Sequence, residues 1–189
     1  DGAGTLKSFH SLNLSSATTI KPGTYYIDDK VELNSGCSLT VDISGVPDAA
    51  TTTPGYQENR TVFLYVKNSF ALKPGASIAL PAGLSARNFQ VMMIGDNNAQ
   101  GEHVSQFSVE GQTDCTLTAS GWGMQATVKD SNFKGAIQGA TVNLDNSQLH
   151  YDESLRNVKL GKAQNNMVSG EVFNLEVTTN PALKTKIYT

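Results

Sequence analysis

The chain has 189 residues, enough for one domain with a core of its own. Only 16% are charged and the net charge is -3, so there is no basic field to hold a nucleic-acid backbone and no Lys/Arg-rich face for anionic lipid. No apolar run reaches bilayer length; the most apolar stretches, such as Thr61–Val66 and Val91–Ile94, are strand-sized.

In chain order, Gly4–Leu14 spaces Leu6, Phe9 and Leu12 or Leu14 as a short helix would, and reads as an N-terminal cap. Strand signals follow in short groups that end at Gly, Pro, Asn or Asp. The first group is Thr24–Ile27, Lys30–Leu33 and Ser38–Ile43, and the second is Thr61–Val66, Phe70–Leu72 and Ser77–Leu80. The third is Phe89–Ile94, Phe107–Val109 and Thr116–Thr118. Met124–Lys129 with Asn132–Phe133, then Ala140–Leu144 with Gln148–Tyr151, complete the series. Asp152–Lys162 places acid early and base late, which suits a helix dipole. The tail carries two more alternating runs, Glu171–Thr178 and Lys184–Tyr188. Ser44–Arg60 and Gly95–Ser105 are polar excursions.

The groups copy one another. Val31-Glu32-Leu33, a corner Asn34-Ser35-Gly36, then Cys37-Ser38-Leu39-Thr40-Val41 matches Phe70-Ala71-Leu72, Lys73-Pro74-Gly75, then Ala76-Ser77-Ile78-Ala79-Leu80. Phe107-Ser108-Val109 followed by Cys115-Thr116-Leu117-Thr118 reads as a looser copy, and Val142-Asn143-Leu144 with Gln148-Leu149 as a shorter one. One unit cannot bury its own apolar face, but stacked units can. The repetition therefore predicts an all-β, right-handed β-helix or solenoid of about four to five coils with long loop insertions. Residues 1–159 form the solenoid with its N-terminal cap, and 160–189 a β tail that packs on or caps it. A β-sandwich is the rival, but Asn-Gly or Asp-Gly hairpin pairs are missing after position 2.

Residues that carry chemistry are sparse. His10, His103 and His150 show no metal-ligand spacing, and the acids, among them Asp28, Asp29, Asp42, Asp96, Asp114, Asp130 and Asp145, are scattered rather than columned. No catalytic residue or cofactor is implied, and the metal question stays open: Asp96-Asn97-Asn98 with Glu102 offer side-chain oxygens that could ligate calcium, but without EF-hand spacing. The candidates for ligand contact are Asp96, Asn97, Asn98 and Glu102 in one polar loop, and Trp122 between two glycines as a sugar-stacking platform. Alternation places His150 and Asp152 on one face and Tyr151 on the other, where they close the last coil. Cys37 and Cys115 hold similar places in two copies, and an exported chain favours a bridge between them. Ala76 holds that place in the copy between, which separates the two by ~9.6 Å, beyond the roughly 7 Å a disulfide spans. The sequence leaves that pairing open.

From Gly121 the chain reads GWGMQATVKDSNFKGAIQGATVNLDNSQLHYDESL. This resembles the C-terminal repeats of a β-repeat domain in bacterial type IV pilus-associated proteins, the PilX-like or MSHA-type minor pilins. The carrying residues are Gly123 to Ala126, Asn132, Phe133-Lys134-Gly135-Ala136-Ile137, Thr141 to Leu144 and His150-Tyr151-Asp152-Glu153-Ser154-Leu155. Gly135 and Gly139 count with His150, Tyr151 and Asp152 as structural. Ala126 is followed by Thr127-Val128 where that family has an Ala-Pro-Asn corner. The likeness spans 60–155 and is close over 121–155. It implies a non-catalytic structural or adhesive module of a bacterial pilus-associated or cell-surface protein, extracellular or periplasmic. Its partners would be other pilus subunits or surface glycans. The alternatives are a carbohydrate-binding or polysaccharide-degrading β-helix, and a scaffold that self-associates through its ends.

Overall fold

The computed structural model describes residues 7–46, 58–97, 103–155 and 177–179. Its strands come in rungs. The first rung holds β1 (Lys7–Phe9), β2 (Leu12–Leu14) and β3 (Thr18–Ile20). The second holds β4 (Gly23–Ile27), β5 (Lys30–Leu33) and β6 (Ser38–Val41), and the third β7 (Val62–Val66), β8 (Ser69–Leu72) and β9 (Ser77–Ala79). The fourth holds β10 (Phe89–Met93) and β12 (His103–Glu110), with the two-residue β11 (Asp96–Asn97) between them. The fifth holds β13 (Cys115–Ser120) and β14 (Met124–Lys129), and the sixth β15 (Asn132–Gln138) and β16 (Thr141–Asp145). In the seventh are β17 (Gln148–Tyr151) and β18 (Val177–Thr179).

Each strand pairs with its counterpart one rung away. The first sheet runs β1-β4-β7-β10-β13-β15-β17, the second β2-β5-β8-β12-β14-β16-β18, and a third, β3-β6-β9, flanks the first three rungs only. Every pair is parallel except β11 with β12. This is the pairing of a β-solenoid, in which a strand's backbone partners lie in the coils before and after it.

The sequence reason is the alternation. Val31, Phe70, Phe107, Ala126 and Val142 stand in register through the second sheet, as do Leu33, Leu72, Val109, Val128 and Leu144. All ten are buried. Phe70 and Phe107 stack with ring centroids 5.2 Å apart. Tyr25, Leu64, Val91, Ala119 and Ile137 form a facing column from the first sheet. Each fully buried side chain of this size contributes roughly 1.5–3 kcal/mol, so the columns supply the main cohesive term.

Val31–Val41 and Phe70–Leu80 stack in the register their copies predict: Val31 on Phe70, Leu33 on Leu72, Leu39 on Ile78. The first sheet has seven rungs rather than four to five. The two extra ones are at the ends, where β1 to β3 and β17 to β18 add a rung each. Within 4–14, the expected helix is instead β1 and β2, because Leu12 and Leu14 alternate onto Val31 and Leu33. At Asp152–Lys162 the described part is a 3-10 turn, Glu153–Leu155, and residues 156–162 lie outside the described ones. Phe107–Val109 does sit on Phe70–Leu72, but Cys115–Thr118 does not join Leu39 and Ile78. It opens the next rung and pairs with β15, because the chain makes no third strand in rung four. Likewise Val142–Leu144 and Leu149 belong to different sheets, β16 and β17. In the tail, Val177–Thr179 pairs with β16, and the rest of 160–189, including Lys184–Tyr188, lies outside the described residues.

Candidate functional site

The edge where each first-sheet strand turns into its second-sheet strand gathers most of the polar candidates. Its described rungs read His10-Ser11, Asp28-Asp29, Lys67-Asn68, Ile94 to Asn97, Gly121-Trp122-Gly123, and Gly139-Ala140. In the first three, side chains link along the edge. Asp28 lies 3.7 Å from His10 Nδ1 and 3.5 Å from Lys67 Nζ. Ser11 Oγ and Asn68 Nδ2 donate to Asp29 at 3.0 and 3.1 Å. Those donors, Asn68 first and Ser11 second, hold the Asp29 carboxyl below the usual range. The pair Asp28-Asp29 is thus a solvated corner with its charge spent on neighbours in adjacent rungs.

Rungs four and five differ. Asp96 and Asn97 form β11 and pair antiparallel with Val104 and His103. Asn98 and Glu102 lie outside the described residues. One rung on, Trp122 is 83% exposed. Gly121 permits this corner because a side chain there would meet Met93 O at 2.5 Å, and at Gly139 one would meet Met124 O at 2.6 Å. The structure therefore brings Asp96, Asn97 and Trp122, distant in sequence, onto one edge within a rung of each other. No group of three or more His, Cys, Asp or Glu suited to a metal occurs among the described residues.

The opposite turn, from second sheet back to first, is also a ladder. Gly111, Asp130 and Asn146 occupy it in successive rungs with φ of 65°, 49° and 48°. Asn146 Nδ2 donates to Asp130 Oδ1 at 2.6 Å. The next residues, Gln112, Ser131 and Ser147, are linked: Ser131 Oγ accepts from Gln112 N–H, and Ser147 Oγ from Ser131 N–H, both at 3.0 Å. The sequence signal for this ladder is the pair Asp130-Ser131 and Asn146-Ser147, 16 apart, since Asp and Asn tolerate the positive φ these corners need.

Asp152 does more than end a strand. It is 7% exposed, and its Oδ2 accepts from the backbone N–H of Ala86 at 3.0 Å while Oδ1 accepts from Ser154 N–H. Burial pushes its carboxyl up, but the bonds from Ala86 and Ser154, helped by Lys134, bring the net value below the ordinary 3.8. Ser154 Oγ donates to Ser85 Oγ at 2.9 Å, and Thr118 Oγ1 to Ala86 O at 3.3 Å. The 3-10 turn Ala86–Asn88 is so strapped across the first sheet, on the side of Thr118 and Gln90 that faces away from the core. Its long sequence separation from Asp152 hid this network from sequence reading. His150 stands in register with Lys134 and approaches Gln148 Oε1 at 3.2 Å, while Tyr151, in register with Gly135, is 52% exposed. A side chain at Gly135 would collide with the Leu117 carbonyl.

Cys37 and Cys115 are both free and buried. Ser77 N–H donates to Cys37 O, which stacks Ala76 next to Cys37. Burial raises both thiols, that of Cys115 to about 12.

No curated protein and no solved structure matches the chain. One family model does, over residues 4–158, which takes in every rung as far as β17. The chain belongs to that family, described as Domain of unknown function (DUF7305).

Proposed function

We propose that this chain is a non-catalytic structural and adhesive module of a bacterial pilus-associated or cell-surface protein, located outside the cell or in the periplasm. The observation that supports it best is the uninterrupted parallel ladder with its shared core columns. Such a ladder is a stiff body that holds its edges and loops at fixed spacing, as a spacer or tip needs. We assign it a right-handed winding, the hand that parallel crossover connections take almost without exception. Its partners are pilus subunits or surface glycans, which meet the edges and not the covered core. The resemblance of 121–155 to minor-pilin repeats gives the pilus its place in this reading.

Labelling of intact cells of the producing organism with antibody to the chain tests the location. Surface label that is lost after mild protease, and that co-sediments with sheared pili, is the expected result. Label seen only after the cells are opened and fractionated to the cytoplasm overturns it.

A further inference from the structure

We propose that the edge around Trp122 is a binding site for a neutral glycan chain. This deepens the adhesive reading and rests on it.

Trp122 is the chain's only tryptophan and, among the described residues, the most exposed large apolar side chain. An indole held 83% in water leaves a large apolar ring open to a stacking partner. Its corner is also fixed. Gly121 sits against Met93, its N–H donates to Gln138 O at 3.0 Å, and Met124 N–H returns to Gly121 O. The ring is therefore presented on a rigid scaffold.

The neighbours decide the chemistry. Beside the corner on the first sheet, Ser120 pairs with Gln138. On the second sheet, Gln125 lies between Gln106 and Thr141. Gln106, Gln125 and Thr141 are exposed, and Ser120 and Gln138 half-buried. All five are uncharged and carry amide or hydroxyl groups. Gln106 Nε2 donates to Gln125 Oε1 at 2.9 Å, which aligns the two amides along the ladder. On the second-sheet strands Glu110, Lys129 and Asp145 stand at the far end, with Lys129 Nζ 3.5 Å from Glu110. A flat apolar ring flanked by neutral donors and acceptors suits a sugar: its C–H face stacks on the indole and its hydroxyls reach the amides. Lys67, two rungs along this edge, is paired with Asp28 at 3.5 Å, and Asp96, one rung away, is an acid, so the described residues of the edge disfavour a uronic-acid polymer.

Because Trp122 is the sole tryptophan, its fluorescence reads this site alone. The purified chain is titrated with maltohexaose, cellohexaose and chitohexaose, with oligogalacturonate as the acidic probe, up to about 10 mM, well past a millimolar Kd. At least one neutral oligosaccharide is expected to shift the emission to the blue and saturate, while oligogalacturonate does not. By calorimetry, Trp122→Ala should weaken that binding at least about tenfold, the worth of one stacked ring, with its thermal melt unchanged. Gln125→Ala, which leaves the indole in place, should weaken it by a smaller factor. The proposal is overturned if no neutral oligosaccharide moves the emission, if oligogalacturonate binds as well, or if Trp122→Ala binds like the parent. The titration needs no export or pilus, so its outcome is independent of the cell labelling.

Discussion

The first rung and the fifth use the same length of chain to build different cross-sections. Lys7 pairs with Tyr25 and Cys115 with Phe133, 18 residues on in both cases. The first rung divides this length among three strands of three residues, the fifth between two strands of six. The difference lies in the corners. In rungs two and three the chain turns at Gly36 and Gly75, both with positive φ, into a third sheet. From rung five on it turns at Asp130 and Asn146 straight back to the first sheet. Strand length in a solenoid is thus set by where the left-handed residue falls, since the alternation itself is the same in both halves. The two-sheet half also carries what the other lacks, a strap pinned to the first sheet by Asp152.

The sharpest way to break the two-sheet half is at Gly135. A valine there has both a φ of +147° and the Leu117 carbonyl against it. Gly135→Val should cost about 3 kcal/mol or more, seen as loss of the cooperative melt in circular dichroism. Phe107 joins the halves, stacked on Phe70 of the last three-sheet rung. Phe107→Ala should cost about 3–5 kcal/mol by chemical denaturation, and a much smaller loss would mean that the halves fold apart.

Asp152→Ala removes the pin and leaves the Ala86 N–H buried, at a cost of about 1–3 kcal/mol in denaturant melts, while strands of the first three rungs keep their hydrogen-exchange protection. The Asp152 carboxyl titrates below its ordinary value when folded, so its contribution is full above the ordinary 3.8 and is lost as pH falls through the lower, folded value. Stability measured across that acid range should therefore fall less in Asp152→Asn than in the parent. Asn146→Ala should cost about 1 kcal/mol, because alanine resists a φ of 48°, whereas Asn146→Gly should lose less. The smallest effect concerns the thiols. With both cysteines buried, a thiol reagent should find none in the native protein and two after unfolding.

Much of the three-sheet half is legible in the sequence. Val31–Val41 and Phe70–Leu80 share spacing and a Gly corner, and that is enough to give their register. The same pattern misleads at Cys115–Thr118. There the apolar alternation is kept while the turn before it changes, and Gln112, tied to Lys73 O and Glu110 O, carries the chain onward to the first sheet. Sequence periodicity records which side of a strand faces in, but not which sheet the strand joins. The first rung is ambiguous in sequence because Leu6, Phe9 and Leu12 fit a helical spacing while Leu12 and Leu14 also fit the alternation of a strand. Trp122 and the polar stretch at Asp96 are each legible as candidates for ligand contact. Their meeting on one edge is not, since it depends on Met92 lying beside Ser120 in the register of β10 and β13. The strap from Ala86 to Asp152 left no local signal, as its bonds are to backbone groups and to residues more than sixty positions away.

Rung-on-rung stacking is tested most directly by distances along one outward-facing column. Lys30, Ser69, Gln106, Gln125 and Thr141 occupy it in successive rungs. Spin labels at Lys30 paired in turn with Gln106, Gln125 and Thr141 should give separations that climb in even steps of about 4.8 Å, to roughly 19 Å across four rungs. Separations that fail to rise in that order, with Thr141 nearer to Lys30 than Gln125 is, would contradict the stacked, parallel account.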